Sequence, residues 1–182
     1  MPAFSRFLRV AAHSNATIVN FTNAANDAQV PVEEVKAWER SKKRKPLVSS
    51  KYYFFDVGVA SALQGRLVRP GTPEFGAAFE TWLLHELVSY RDYVSGEPVN
   101  YWRSTSGFEV DFVLGNHTAI EIKAKETVSP QDLKSLRILG EERKFKRYLC
   151  VCLERRKRRV EGVLVLPYGE FLEALWIRDS SP

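Results

Sequence analysis

The sequence predicts an α/β (α+β) fold whose elements follow the order helix, strand, strand, strand, helix, strand. A long amphipathic helical pattern over residues 73–93 precedes three short segments with the composition and alternation of strands. A capped helical segment and a buried-type strand follow within residues 129–153. These two observations, the long helix before the strands and the capped helix after them, are the basis of the fold prediction.

Composition narrows the class of protein. The chain has 182 residues, of which 45% are hydrophobic and 27% charged, as in ordinary soluble globular proteins. It contains no apolar run of about 18 residues and no signal peptide, so we expect a cytoplasmic protein with no membrane partner. Cys150 and Cys152 stand two apart in a strand-like run. We expect them to pack as small apolar side chains rather than to pair or to bind metal.

The basic residues are concentrated in two clusters, residues 41–45 and residues 154–159, and the net charge is +5. Either cluster can contact the phosphates of an anionic partner. Either can equally be a solvated loop, and the sequence leaves both interpretations open.

A small helical lobe is predicted over residues 1–48, ahead of a second domain over residues 49–182. Helical candidates are residues 4–13, residues 21–28, and a third segment that begins at Pro31 and carries Val32, Val35 and Trp38 on one side. Short helices joined by a turn resemble a helix-turn-helix, although a purely structural lobe has the same pattern.

The second domain opens with residues 51–62, which are rich in aromatic and β-branched side chains and predict a strand or extended segment leading into a short helix. The long helix comes next. Thr72 suits its N-cap, Pro73 its first turn, and the pattern continues to about Tyr93.

Glu80 is the unusual residue of this long helix, because it lies in the middle of the apolar face. The apolar residues of that face include Leu83, Leu84 and Leu87, and the solvated side carries Glu74, His85 and Asp92. A carboxylate on a buried face is costly unless it is paired, hydrogen-bonded or bound to metal. Glu80 is therefore either a functional acid or one half of a buried pair with lysine or arginine.

Residues 107–125 predict two strands joined by a tight turn. In the first strand, one row holds Phe108, Val110, Phe112 and Leu114, and the other holds Glu109, Asp111 and Val113. In the second strand Glu121 and Lys123 share a face, because side chains two apart point the same way.

The length of the turn decides whether Asp111 joins them. If residues 115–117 form a three-residue loop, Leu114 pairs with Thr118 and Asp111 lies directly opposite Glu121, with Cβ atoms about 4.5–5.5 Å apart. A two-residue loop would instead put Asp111 on the other face. Two carboxylates and an ammonium on one face indicate a divalent-cation site with a catalytic lysine. The alternative is a solvated face with a cross-strand ion pair.

The remaining elements complete the predicted order. The strands are residues 98–103, which precede the hairpin, and residues 147–153 and 160–166, which follow it. The helices are one capped by Ser129, with Leu133, Leu136 and Leu139 as its apolar stripe, and a last one over residues 167–176.

The pattern Asp111, then Glu121-Ile122-Lys123, preceded by Glu80 on a helix, resembles the core of the PD-(D/E)xK nuclease superfamily. That resemblance implies a restriction-endonuclease-like αβββαβ core with a central mixed sheet flanked by helices. Four blocks resemble a narrower group, the DUF4143 domain at the C-terminus of prokaryotic AAA-type ATPases, over about residue 51 to the end. The blocks are KYYFFDVGVA, FGAAFETWLLHEL, YWRSTSGFEVDFVL and AIEIKA.

The resemblance implies metal-dependent hydrolysis of DNA, with Mg²⁺ or Mn²⁺ as cofactor. Asp111 and Glu121 would bind the metal, helped by the carbonyl of Ile122, and Glu80 would bind directly or through water. Lys123 would act on the attacking water. Contacts to nucleic acid would come from Arg103, Ser104 and Gln131.

In that family an ATPase domain and a winged-helix-like segment precede the DUF4143 domain. This chain contains no G-x-x-x-x-G-K-[ST] motif, so no ATPase activity is expected from it. Residues 4–40 resemble part of the linking segment, shortened near Trp38. An AAA-type ATPase acting in trans is therefore an expected partner, and a non-catalytic DNA- or protein-docking module is the alternative function.

Overall fold

The computed structural model describes residues 17–18 and 32–177, and a mixed sheet of nine strands is its central feature. In chain order the strands are β1 (Thr17–Ile18), β2 (Val32–Ala37), β3 (Lys51–Phe54), β4 (Val99–Arg103), β5 (Glu109–Leu114), β6 (Thr118–Lys123), β7 (Arg147–Cys152), β8 (Arg158–Val160) and β9 (Val163–Pro167). Across the sheet their order is β1-β3-β2-β4-β5-β6-β7-β9-β8.

The described residues also form four α-helices: α1 (Val57–Gln64), α2 (Pro73–Tyr90), α3 (Lys134–Gly140) and α4 (Tyr168–Trp176). A π-helical turn (Arg91–Ser95) continues α2, and a 3-10 turn (Pro130–Leu133) precedes α3. The predicted caps are confirmed. The Thr72 hydroxyl accepts a hydrogen bond from the N–H of Phe75 at 3.3 Å, and Ser129 forms a capping box with Asp132.

The predicted fold class is confirmed. Helix α2, strands β4, β5 and β6, helix α3 and strand β7 follow one another in the expected order. The pairs β4–β5 and β5–β6 are antiparallel, whereas β6–β7 and β7–β9 are parallel. Helix α3 lies on the connection between the parallel strands β6 and β7, as such a crossover requires.

Different helices cover the two faces of the sheet. One core joins α2 and α4 to the sheet, and its buried helical residues are Phe79, Leu83, Leu84, Leu87 and Phe171. The other core lies under α3, where Leu133, Leu136 and Leu139 are all 0% exposed. The predicted apolar stripes of α2 and α3 are therefore the faces that each helix buries.

The β5–β6 hairpin has the predicted register. Leu114 pairs with Thr118, Val113 with Ala119 and Phe112 with Ile120, so the turn is the three-residue loop. Gly115 adopts a φ of 56° there, a left-handed conformation that glycine accepts at little cost. The pairing ends at Phe112 and Ile120. Asp111, which was predicted to lie opposite Glu121, lies one residue beyond the last pair and contacts β6 through its side chain.

One apolar row of β5 was predicted wrongly. Val110 packs in the core under α3, whereas Phe112 and Leu114 pack in the core under α2. The cause is an irregular pairing with β4: Asn100 pairs with Val113 but Trp102 pairs with Val110. Three residues of β4 (100–102) thus face four residues of β5 (110–113), and the extra residue of such a bulge changes the direction of the side chains locally.

The third predicted N-terminal helix is also wrong. Residues 32–37 form strand β2, which pairs antiparallel with β3 and parallel with β4. Val35 and Ala37 are buried while Lys36 between them is exposed, so the local alternation has the strand period. The other two helical candidates, residues 4–13 and 21–28, lie outside the described residues.

Two further predictions need correction. The expected single strand over residues 160–166 is a hairpin of β8 and β9, because Glu161 and Gly162 have φ values of 49° and 86° and turn the chain. His85 is not a solvated residue, since its Nε2 lies 2.9 Å from the carbonyl oxygen of Phe54. The packing of β3 against α2 provides this partner.

Both cysteines are free and buried, as predicted. None of the helices in the described residues is long and apolar enough to cross a membrane.

Candidate functional site

The predicted catalytic and metal-binding residues, Glu80, Asp111, Glu121 and Lys123, lie close together at one edge of the sheet, where β5 begins and β6 ends. Asp111 lies near the start of β5, and Glu121 and Lys123 lie at the end of β6, the antiparallel neighbour. Strands β4 and β5 pair Arg103 with Glu109 at the same edge. Glu80 approaches from the middle of α2, which covers the sheet here.

Asp111 is only 9% exposed. Its Oδ2 accepts a hydrogen bond from the backbone N–H of Ile122 at 2.7 Å. The side chain thus provides a partner for β6 just beyond the pair formed by Phe112 and Ile120. Burial, and then the negative charges of Glu121 and Glu80, raise the pKa of Asp111 well above its ordinary value.

Glu121 is 5% exposed, and its Oε1 accepts a hydrogen bond from the Lys123 ammonium at 2.6 Å. The other oxygen, Oε2, is buried and has no hydrogen-bond partner within the described part of the chain. Burial raises the pKa of Glu121 to about 7, although the Lys123 charge acts in the opposite direction. The lysine therefore compensates the buried carboxylate only in part.

Lys51, which the sequence did not single out, lies among these acids. It is 3% exposed, and its Nζ is 2.5 Å from Glu109 Oε1 and 3.3 Å from Glu80 Oε1. Burial acts to lower the pKa of Lys51, but the charges of Glu80, Asp111 and Glu109 outweigh it and raise the pKa. Lys51 is thus a buried counter-ion for Glu80, Asp111 and Glu109.

Glu80 forms the buried pair with a lysine that was one of its two predicted interpretations. Besides its ion pair with Lys51, Glu80 Oε1 accepts a hydrogen bond from the Tyr53 hydroxyl at 2.7 Å. Its side chain is 18% exposed. Helical periodicity placed Glu80 on the buried face correctly, and β3 provides both of its partners.

Glu109 is the second residue that sequence reasoning missed. Its Oε2 lies 3.3 Å from Arg103 Nη1 while its Oε1 binds Lys51. The available signal was its position two residues before Asp111 in the same strand, but its partners come from β3 and β4.

The three residues predicted to contact nucleic acid have different environments in the fold. Gln131 is exposed on the 3-10 turn, and the Arg103 side chain is 39% exposed while it pairs with Glu109. Ser104 is only 1% exposed, and its hydroxyl accepts a hydrogen bond from the N–H of Phe108 at 3.1 Å. A phosphate contact by Ser104 does not fit this placement, because the hydroxyl closes the turn between β4 and β5.

The acidic side chains of the site meet only some of the requirements of the divalent ion that the resemblance implies. Carboxylate oxygens are the ligands that Mg²⁺ prefers, and Mg²⁺ is commonly bound through one or two carboxylates while it keeps several waters. Asp111 and the unpartnered Oε2 of Glu121 fit that requirement. Among the described residues, however, no three His, Cys, Asp or Glu side chains converge as metal ligands. Glu80 is directed to Lys51 and Tyr53 instead.

The acid pair predicts a pH dependence of stability in the metal-free protein. A carboxyl whose pKa is higher in the folded than in the unfolded state stabilises the fold at low pH, and this stabilisation is lost as pH rises through the folded pKa. For Glu121 that window runs from 4.5 to about 7, and Asp111 acts in the same direction. We expect the free energy of unfolding to fall by roughly 3 kcal/mol between about pH 5 and pH 8.

Urea denaturation in EDTA across that range measures the effect. Carboxyls with lowered pKa values, such as Asp132 with a pKa of about 2, affect the stability only at pH values below this range. The variant Glu121→Gln should show a weaker dependence of the free energy of unfolding on pH. A wild-type stability that stays constant or rises between these pH values would contradict the prediction.

Comparison with known proteins identifies the family. The model of the family described as Domain of unknown function (DUF4143) matches residues 75–171, which is just over half of the chain. The protein therefore belongs to the DUF4143 family, as predicted, and the matched region contains three of the four sequence blocks but not residues 51–60. The matched region contains Glu80, Asp111, Glu121 and Lys123 but not Lys51. Searches of curated proteins and of solved structures return no match.

Proposed function

We propose that this domain hydrolyses phosphodiester bonds of DNA with the help of Mg²⁺ or Mn²⁺. The observation that supports this most directly is the pair Asp111 and Glu121. Both are buried, and they lie close enough for the charge of Glu121 to raise the pKa of Asp111. Lys123 compensates the negative charge of Glu121 only in part. A buried charge without a full partner is costly, and a bound divalent ion would remove that cost.

Asp111 and Glu121 are the proposed ligands, with the Ile122 carbonyl as a further one and Glu80 as the third acid, direct or through water. When bound, a divalent ion neutralises charge on a scissile phosphate and lowers the pKa of an attacking water. Burial acts to lower the pKa of Lys123, but the charges of Glu121 and Asp111 outweigh it and raise the pKa. Lys123 thus keeps its proton, and its proposed role is to orient water and stabilise developing negative charge rather than to remove a proton.

The order of the acids along the chain also supports the proposal, since Asp111 followed by Glu121-Ile122-Lys123 resembles the PD-(D/E)xK pattern. Arg103 and Gln131 are proposed contacts to the nucleic acid. An AAA-type ATPase acting in trans, and a cytoplasmic location, belong to the same proposal.

A second candidate function, a non-catalytic docking module for DNA or for a partner ATPase, is favoured by one observation. Lys51 already neutralises Glu80 and Glu109 within the fold. A domain that uses this edge only for stability needs no divalent ion.

The experiment that separates the two functions combines metal binding with cleavage. Mg²⁺ and Mn²⁺ are titrated calorimetrically into EDTA-treated, dialysed protein, and supercoiled and single-stranded DNA are then incubated with each metal and with EDTA. Saturable binding and metal-dependent cleavage are expected. Absence of both would contradict the nuclease proposal and favour the docking module.

A further inference from the structure

The two basic clusters of the sequence have different surroundings in the fold. In residues 41–45, the Ser41 hydroxyl and the N–H groups of Lys42 and Lys43 all donate to the Glu142 carboxylate. Arg44 pairs with Glu141. Because Glu141 and Glu142 follow the C-terminal end of α3, this cluster is tied to acids beyond that helix.

Residues 154–159, which we term the basic segment, hold five basic residues and one acid. The segment leaves the sheet beside the candidate site. Lys123 pairs with Cys152 in the parallel register of β6 and β7, and the N–H of Leu153 donates to the carbonyl of Lys125 at 3.0 Å. The segment therefore begins just after the strand that flanks Lys123.

The only acid within the basic segment is Glu154, and internal bonds occupy it. Glu154 accepts hydrogen bonds from the N–H of Val128 at 2.7 Å and from Arg158 at 2.7 and 2.8 Å. Arg158 also donates to the Val128 carbonyl at 2.6 Å. These bonds fix both ends of the segment to the connection between β6 and α3, so its shape is held in place before any ligand binds.

The remaining cations face solvent. Arg155 and Arg156 are exposed, and neither forms an ion pair with a carboxylate in the described residues. Lys157 is 65% exposed and pairs with Glu170, an exposed pair of the kind that contributes little. A cavity with a volume of about 670 Å³ is lined by the segment and by residues 126–127. Glu126 is the exposed acid on that side.

We propose that the basic segment binds the phosphate backbone of nucleic acid next to the candidate site. Guanidinium groups bind phosphate oxygens through two parallel hydrogen bonds, and Arg155 and Arg156 offer such groups without an internal carboxylate partner in the described part of the chain. The segment carries no aromatic residue, so we expect backbone contacts rather than stacking on bases. This inference rests on the proposed function, in which the site cuts DNA. It adds that the bound DNA runs along the basic segment, beside Lys123.

The test measures binding without cleavage. The affinity for a labelled DNA duplex is determined by fluorescence anisotropy in EDTA, at several salt concentrations, for the wild type and for the double variant Arg155→Ala/Arg156→Ala. We expect the double variant to bind about tenfold more weakly or worse near 0.1 M salt. The slope of log affinity against log salt should become shallower by roughly 2, about one unit for each phosphate that the variant no longer neutralises.

The matched control is Lys42→Ala/Lys43→Ala, which removes the same charge from two exposed residues of the other cluster. We expect its affinity to stay within about twofold of the wild type, because a general charge effect would weaken both variants alike. An equal loss in both variants, or no loss in Arg155→Ala/Arg156→Ala, would overturn the inference. Polyglutamate binding that equals DNA binding and depends on Arg155 and Arg156 would overturn it in favour of an acidic protein.

Failure of this inference is distinguishable from failure of the proposed function. Binding that depends on the segment, in a protein that never cleaves DNA, supports the inference and contradicts only the nuclease activity. Cleavage by a protein whose DNA affinity is unaffected by the arginine substitutions contradicts only the inference. Circular dichroism of both variants checks that they are folded.

Discussion

Asp111→Asn is expected to lower Mg²⁺-dependent DNA cleavage by roughly 10²–10³-fold, the loss typical when one preorganised electrostatic group is removed from an active site. The same variant should be more stable than the wild type in EDTA at about pH 8. Its amide oxygen can still accept the hydrogen bond from Ile122 that Asp111 accepts at 2.7 Å. The substitution meanwhile removes a buried negative charge next to Glu121 and Glu80, whose charges raise the pKa of Asp111.

Initial cleavage rates and urea denaturation of the same preparations measure the two effects. Glu97→Gln is the matched control, because Glu97 is an acid whose partner His117, at 2.6 Å, belongs to the turn at the other end of the β5–β6 hairpin. We expect the control to change cleavage by less than about twofold, since Glu97 has no place in the proposed chemistry. Cleavage by Asp111→Asn at the wild-type rate would contradict the assignment of Asp111 as a ligand.

Lys51→Met is expected to destabilise the fold by about 3–5 kcal/mol at neutral pH, the cost of removing one partner from a buried ion pair. The methionine keeps most of the side-chain volume, so the effect reports charge rather than a cavity. Lys51 is 3% exposed and contacts both Glu80 and Glu109. Without it, the acids of this edge lose the counter-ion that lies at their centre.

The control for this variant is Arg66→Met, which breaks the pair of Arg66 with Glu74. The Arg66 side chain is 54% exposed, and exposed pairs of this kind contribute less than about 1 kcal/mol. Urea denaturation in EDTA measures both variants. A stability of Lys51→Met within about 1 kcal/mol of the wild type would show that the attraction of Lys51 to its acids only balances its own desolvation.

The parts of the fold that were predicted correctly depend on neighbours in the sequence. The caps Thr72 and Ser129 lie within three residues of the N–H groups whose hydrogen bonds they accept. The hairpin register follows from a three-residue turn and the alternation on each side of it. Helical periodicity alone placed Glu80 on the buried face of α2.

The errors come from distant partners. Residues 32–37 match a helical stripe, but β3 and β4 pair with them on both sides and make them a strand. Val110 of β5 faces the core under α3 rather than the core under α2, because Trp102 of β4 pairs with it in a shifted register. Both effects depend on hydrogen bonds to strands elsewhere in the chain, and the local pattern does not specify those partners.

The sequence by itself determined the class of fold, the family, and the grouping of Asp111, Glu121 and Lys123 on one hairpin, because turn length and side-chain alternation are local properties. Only the tertiary structure decided the electrostatics of that group. It placed Lys51 from a separate strand against Glu80 and Glu109, and it left Glu121 Oε2 buried without a partner in the described residues. Burial and ion pairing depend on which elements pack together, and chain order does not specify that.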